Sequence, residues 1–270
     1  MRYVYFTKSL QALDIPKTLA FLKEIGVDGA DLAVRPGYAI NPDNALAELP
    51  RAVKAFRDEG LVIGLVTAPV TLTDPASAAA RTLFEACARA GIVMLKIGYF
   101  AYQGHFDAEL TAARRRLAGF ARLAERTKVR ACYHTHSGNM LGANGAALRL
   151  LLHDLDPHHV GAFMDTGHVA INGGPMPLEL DMVRSWLSLL AIKDMAWEHT
   201  KHGWQARVVP AGQGIVRWDE VAHGLKECHF NGTVSLHGEY DARDVEERKR
   251  LAKAELALLK SRLPAARPSP

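Results

Sequence analysis

Two histidines, His134 and His136, stand two apart at the end of a short apolar run, Val129–Tyr133, that reads as a buried strand. Side chains two apart on a strand share a face, so both imidazoles converge where the strand meets the Ser137–Gly138–Asn139 turn. An isolated H-x-H is as readily one surface and one core histidine as it is a site. Other apolar runs in the chain, however, end in the same manner. One leads into Arg35–Pro36–Gly37–Tyr38, one into Lys96–Ile97–Gly98–Tyr99 and one into Asp165–Thr166–Gly167–His168. Another reaches Lys193–Asp194 with Trp197 beyond, and the last reaches His237–Gly238–Glu239–Tyr240. Imidazole and carboxylate together suit a divalent metal such as Zn, Mn or Fe. They also suit proton transfer near neutral pH. The best metal set is His134 and Asp165 with either His237 or Glu239. His136 and His168 then remain as substrate contacts or bases.

Ordinary roles compete at each position. Asp165 could cap the turn that follows it, and His168 could be a buried hydrogen-bonding histidine. Glu239 could pair with a basic residue of a neighbouring strand. Lys96 could snorkel along a rim. Arg35 suits a substrate carboxylate or phosphate, and equally a structural salt bridge. Trp197 and Trp204 could stack on a sugar or simply pin their loop.

These residues need a scaffold that brings their strand ends together. Short apolar runs alternate with longer amphipathic segments eight times. The expected strands are 3–6, 29–34, 61–67, 93–97, 129–133, 160–164, 188–192 and 233–236. The expected helices are 15–25, 44–59, 74–90, 107–127, 143–153, 179–186, 218–228 and 245–262, with Asp74–Pro75 opening the third. A long loop is expected after the seventh strand. This rhythm predicts a single-domain α/β fold, a closed (β/α)8 TIM barrel over residues 1–263, with a disordered Pro-rich tail over 264–270. A doubly wound open sheet is disfavoured, because no glycine-rich phosphate loop follows an early strand. In such barrels the working face is the carboxyl end of the strands, where the residues above gather. The other histidines, His105 among them, are expected on the surface or in loops.

Composition narrows the class further. The chain has 270 residues, 49% of them hydrophobic and 23% charged, which is ordinary for a globular protein with a sizeable core. The formal charge is +4 and the pI near 9.0, yet the basic residues are dispersed. The densest clusters, Arg114–Arg116 and Arg248–Arg250, fall in expected helices with acidic neighbours, which argues against a nucleic-acid partner. The three cysteines, Cys87, Cys132 and Cys228, show no disulfide or zinc-ribbon spacing and fit buried thiols in a reducing compartment. No long apolar run and no leader pattern are present, so a cytoplasmic protein without membrane contact is expected.

The whole chain to about Leu263 resembles the xylose isomerase-like TIM-barrel superfamily of sugar phosphate isomerases and epimerases. The resemblance rests on Asp31–Gly37, Tyr133–Gly138, Asp165–His168, Lys193–Trp197, Pro210–Gly214 and His237–Tyr240. It implies a divalent metal (Mn, Zn, Mg or Co) held by Glu, Asp, His and Glu from strands five to eight, with the two glutamates shuttling a proton beside a carbonyl. Asp165 matches the strand-six ligand, and His168 the histidine that contacts substrate. The strand-five glutamate position holds His134, the strand-seven ligand position holds Ala191, and the strand-eight glutamate aligns with His237, with Glu239 one step further on the same face. A rearranged metal set of His134, Asp165, His237 and Glu239 and a metal-free member both remain open. The expected activity is isomerisation or epimerisation of a small sugar, keto-sugar or polyol. His134, Glu239 and Lys193 would be catalytic, and Arg35, Lys96, His136, His168, Asp194 and Trp197 would contact substrate. Dehydration of a keto-sugar or inosose through the same enediolate is the enzyme alternative. A non-catalytic sugar-binding barrel is the alternative of another class, and an apurinic-site endonuclease the remotest. A homo-oligomer is compatible with all of these.

Overall fold

The computed structural model describes residues 1–264. Eight parallel strands close into a barrel. They are β1 (Arg2–Phe6), β2 (Gly29–Ala33), β3 (Val62–Thr67), β4 (Met94–Lys96), β5 (Arg130–His134), β6 (Val160–Asp165), β7 (Leu187–Ile192) and, after the two-stranded insertion described below, β10 (Thr233–Leu236). Neighbours follow chain order around the ring, and β1 pairs with β10 to close it. The outer helices are α1 (Ile15–Ile25), α2 (Ala45–Asp58), α3 (Ala78–Arg89), α4 (Phe106–Thr127), α5 (Gly145–Leu152), α6 (Thr166–Ala170), α7 (Met176–Met182), α8 (Trp218–Glu227) and α9 (Val245–Arg262). The tail expected over 264–270 lies, apart from Pro264, outside the described residues. Among the described residues no helix is long and apolar enough to cross a membrane.

Strands covered on both faces read as continuous apolar runs, and β2 and β6 are buried at every position. One face of each strand packs on the helices in the main core. The other fills the barrel: Val4, Leu65, Cys132, Phe163, Leu189 and Ala191 form a cluster of their own. This plug of side chains is the floor on which the site is built.

Helix ends follow local chemistry. Asp14 caps α1 through Lys17 N–H, and Gly26 ends it in the left-handed conformation at φ 78°. The third helix departs from expectation. Ser77, not Asp74, caps it at Ala80 N–H, while Asp74 accepts from Ala76 N–H in the preceding turn. The basic clusters lie on α4 and α9, where Arg114 pairs with Asp154, Lys249 with Glu24 and Arg250 with Glu247. Cys87 and Cys132 are buried as expected, whereas Cys228 is only half-buried.

The loop expected after the seventh strand is instead an antiparallel hairpin, β8 (Asp194–Thr200) with β9 (Gly203–Val209). Its base is tied down by one buried carboxylate. Asp194 Oδ1 accepts from the N–H groups of Met195 and Val216, and Oδ2 from those of Gly212 and Gly214. This explains the Gly-x-Gly: Gly212 sits at φ 89°, and a Cβ on Gly214 would lie 2.2 Å from Asp194 Oδ1. Asp194→Ala leaves four donors, those of Met195 and Val216 buried, without their acceptor. It is expected to lower the unfolding free energy by about 3 kcal/mol in urea titration, with faster amide exchange concentrated in 195–216.

Candidate active site

Strand alternation places the polar groups. Cys132, Phe163 and Ala191 belong to the barrel plug, and two residues further on stand His134, Asp165 and Lys193. Met94 packs against the same plug and is followed by Lys96, while Ser235 points inward to Asp31 and is followed by His237. Several strands, β3 to β7 among them, thus exchange an apolar inward residue for a polar one at their carboxyl ends. Together with Glu239 these side chains close around a cavity of about 110 Å³ at the carboxyl ends, also lined by Phe6, Lys8, Arg35, Thr67, Val70, Tyr99 and His136. Larger clefts lie under the amino ends of the strands (about 650 Å³) and between α1 and α2 (about 920 Å³), but neither gathers a comparable set of buried titratable groups.

The centre is Asp165, which caps a turn with one oxygen and turns the other to the site. Oδ1 accepts from His168 N–H and caps α6, while Oδ2 faces the site. Around Oδ2 stand His134 Nε2 at 3.4 Å, Lys193 Nζ at 3.6 Å and His237 Nδ1 at 3.9 Å. Lys193 Nζ also lies 2.7 Å from Glu239 Oε2 and 3.1 Å from His168 Nε2. Lys8 pairs with the other oxygen of Glu239. The rings of His134 and His237 stack at 5.4 Å with an interplanar angle of 3°. Supporting hydroxyls hold the frame: Thr135 Oγ1 accepts from Asp165 N–H, Thr166 Oγ1 accepts from Lys193 N–H, and Ser137 Oγ lies 2.8 Å from His168 Nδ1. Tyr99 Oη meets His134 Nδ1 at 3.1 Å. Beneath them Asp31, fully buried, accepts from Thr67 Oγ1 and Ser235 Oγ and lies 3.6 Å from His237 Nε2.

Burial and charge sort the protonation states. Burial presses His134 well below its ordinary range, against the pull of Asp165, and lowers His136 in the same way. Burial carries His168 down to about 3. These three imidazoles are neutral near pH 7. Burial also opposes charge on His237, but the facing carboxylates of Asp31 and Glu239 overcome it and raise the group. Burial opposes the Lys193 ammonium too, and the Asp165 and Glu239 carboxylates more than restore it. Asp165 stays ionised: burial works against it, and Lys193 leads the charges that hold it well below the usual carboxylate range. Glu239 likewise lies far below that range, with the neighbouring His237 first among the causes that outweigh burial and Lys193 next.

The site also passes a test for a divalent metal. His134 Nε2, Asp165 Oδ2 and His237 Nδ1 are buried, have no hydrogen-bond partner and lie within 4.8 Å of one another. Nitrogen and carboxylate donors left bare at one point fit such an ion. Glu239 Oε2, 3.7 Å from His237 Nδ1, stands beside the set.

The structure brings together His134, His136, Asp165, His168, Lys193, His237, Glu239, Arg35 and Lys96. It does not bring in Asp194, whose two oxygens are taken by backbone N–H groups; the expectation that it contacts substrate is corrected on that ground. Trp197, 47% exposed on the hairpin, lies outside the cavity lining. Lys96 does not snorkel, being 2% exposed, and Arg35 forms no salt bridge among the described residues. Asp31, Lys8 and Tyr99 were not foreseen in roles. Asp31 carried a signal, a carboxylate inside an otherwise apolar strand, whereas Lys8 carried none.

A (β/α)8 barrel with a polar site at its carboxyl end is thus the class that fold and site define. The chain belongs to the xylose isomerase-like TIM barrel family, whose model matches residues 19–262. Solved structures resemble it along nearly its full length at low identity. The 3-keto-D-glucoside 4-epimerase YcjR from E. coli superposes with a TM-score of 0.76 at 16% identity, covering 97% of this chain and 99% of that one. The probable 3-DHS dehydratase AsbF of Bacillus anthracis gives 0.74 at 18% identity, covering 96% and 99%. A xylose isomerase-like TIM barrel protein from Mycobacterium smegmatis, in complex with magnesium, gives 0.70 at 16%, covering 97% and 98%. In sequence, the uncharacterised protein MJ1311 of Methanocaldococcus jannaschii is 22% identical over 124 residues, which span 46% of this chain and 41% of that protein.

The buried charges carry a pH signature. A carboxyl held below its unfolded value of about 4 contributes stability that is complete above that value and is lost as pH falls through the folded one. Lys193→Met removes the cation that holds Asp165 and Glu239 down. In EDTA the variant should lose about 3 kcal/mol at pH 7 by urea unfolding, and the penalty should shrink as pH falls below about 4. A penalty independent of pH would show that the ammonium is not what keeps these carboxyls ionised.

Proposed function

We propose that the chain is an enzyme that moves a proton at a carbon beside a carbonyl in a small sugar, keto-sugar or polyol, and so isomerises or epimerises it. The observation that carries this reading is the convergence of bare His134 Nε2, Asp165 Oδ2 and His237 Nδ1 with Lys193 and Glu239 at the floor of one small cavity. The epimerases among the structural neighbours support it.

His134, Asp165 and His237 would hold a divalent metal, with Glu239 beside them. When bound, such an ion supplies Lewis-acid polarisation of the substrate carbonyl or adjacent hydroxyl. Lys193 presents an ammonium fixed on three sides, a preorganised donor for an oxygen that gains negative charge. Glu239 enters the reaction as a carboxylate. Substrate groups that take over the contacts of Lys8 or Lys193 raise its basicity and free it to accept the α-proton. His168, neutral and oriented by Ser137, accepts from the Lys193 ammonium and so aims it into the site. His136 lines the same cavity and stacks near His168, with ring centroids 4.0 Å apart. His134 has one free nitrogen, because Tyr99 occupies the other, so it either holds a metal or takes a proton. The bare partners around it favour the first role.

Loss of a β-substituent from the same enediolate gives dehydration, and the dehydratase among the neighbours supports this as the second reading. DNA-repair chemistry needs several metals, while the described residues hold a single convergent group of three ligands.

Proton exchange tests the proposal directly. After EDTA treatment the protein should bind about one Mn²⁺ per chain by calorimetry, and Asp165→Ala should abolish that binding. With metal restored, incubation of ketoses in D₂O should exchange a carbon-bound proton next to the carbonyl by NMR. Glu239→Gln should slow this at least about 100-fold. Absence of exchange across a panel of ketoses, with no metal bound, would return the barrel to a binding role.

A further inference from the structure

The carboxylates around the cavity all have partners. Asp31 has two hydroxyls and His237, Asp165 has His168 N–H and Lys193, and Glu239 has Lys193 and Lys8. Two cations do not. Arg35, beyond the end of β2, and Lys96, at the end of β4, form no ion pair with any described carboxylate. Arg35 Nε and Lys96 Nζ are both buried without a hydrogen-bond partner. Their nearest company is aromatic: Lys96 Nζ stands 3.5 Å from the centre of the Tyr99 ring, and the Arg35 guanidinium 5.4 Å from that of Phe6. Both line the same cavity as His134 and Lys193, Lys96 on the strand beside that of His134 and Arg35 beyond β2. Burying a cation without an ion-pair partner is costly, and a second cation nearby makes it more so. Burial first, and Arg35 next, press the Lys96 ammonium far below its ordinary value. An anion between the two would relieve this. A divalent metal in the same cavity would add positive charge and increase the need for one.

We infer that the substrate is a sugar acid whose carboxylate is received by Arg35 and Lys96 while its carbonyl end lies over Lys193 and Asp165. This deepens the reading given above and rests on it, since it takes a small sugar to be the occupant of the cavity. A phosphate ester fits less well. Barrels of this type hold phosphate with backbone N–H groups in the loops after the last two strands. Here the N–H groups of Gly212, Gly214 and Val216 in that region are already bonded to Asp194. The cavity is also small, about 110 Å³, and its two bare donors are side chains suited to a single carboxylate.

Three ketoses that differ only at the terminal carbon separate the possibilities: fructuronate, fructose and fructose 6-phosphate. Affinities are measured by calorimetry on the metal-loaded protein, so turnover is not needed. Fructuronate is expected to bind at least about tenfold tighter than fructose, with the preference falling as salt is raised. Arg35→Gln and Lys96→Met should each reduce that acid-to-neutral ratio several-fold, and Lys96→Arg should preserve much of it, with circular dichroism confirming the fold. The wild-type salt series stands without any variant. Equal or better binding of fructose overturns the acid assignment alone, as does a preference that survives both substitutions. Tighter binding of fructose 6-phosphate overturns the carboxylate in favour of phosphate. A protein that binds none of the three overturns this assignment together with the sugar reading.

Discussion

The ammonium of Lys193 makes the rest of the site possible. Two carboxylates, Asp165 and Glu239, are carried into a largely closed cavity, and mutual repulsion would otherwise keep one of them protonated. That cation helps both remain ionised, with His237 adding to its hold on Glu239. It stands just beyond β7, two residues after Ala191, whose short side chain packs in the plug. Positive charge is thereby supplied by the chain itself, next to the place where a metal would add its own. Burial keeps His168 and His136 neutral, and the nearby ammonium adds to its effect.

Depth organises the chemistry. The apolar plug of the barrel gives a packed floor, and one step of strand alternation above it most side chains turn polar. Groups at that level lose most of their hydration and must be satisfied by one another. Those that are not include His134 Nε2, Asp165 Oδ2 and both nitrogens of His237, which suit a cation, and Lys96 Nζ and Arg35 Nε, which suit an anion. A ligand that is polar at both ends and about the size of a monosaccharide is the complement of such a space.

Much of this was legible in the sequence. Eight apolar runs, six of them ending in the polar residues named above, specify both the barrel and the rim, because strand position and side-chain direction are local properties. His134, Asp165, Lys193 and His237 could be placed together on that basis. Asp194 could not be separated from its neighbour Lys193, since its role depends on four N–H groups, three of which belong to residues 212–216. The hairpin was hidden for another reason: β8 and β9 face solvent along much of both sides and lack the apolar alternation that marks a strand. Lys8 and Asp31 joined the site through contacts that span most of the chain, to Glu239 and Ser235, which no window of sequence contains.

The same hairpin has a consequence for how the molecule can change over time. Its base is locked to the barrel by Asp194, while its tip carries Trp204 at 67% exposure and Trp197 at 47% and makes few demands on the core. Residues between Ala196 and Arg207 can therefore vary in length and composition without disturbing the strand ends below. Inheritance is divided accordingly: the catalytic floor is constrained by the barrel, whereas the projecting ribbon is free to diversify over the mouth.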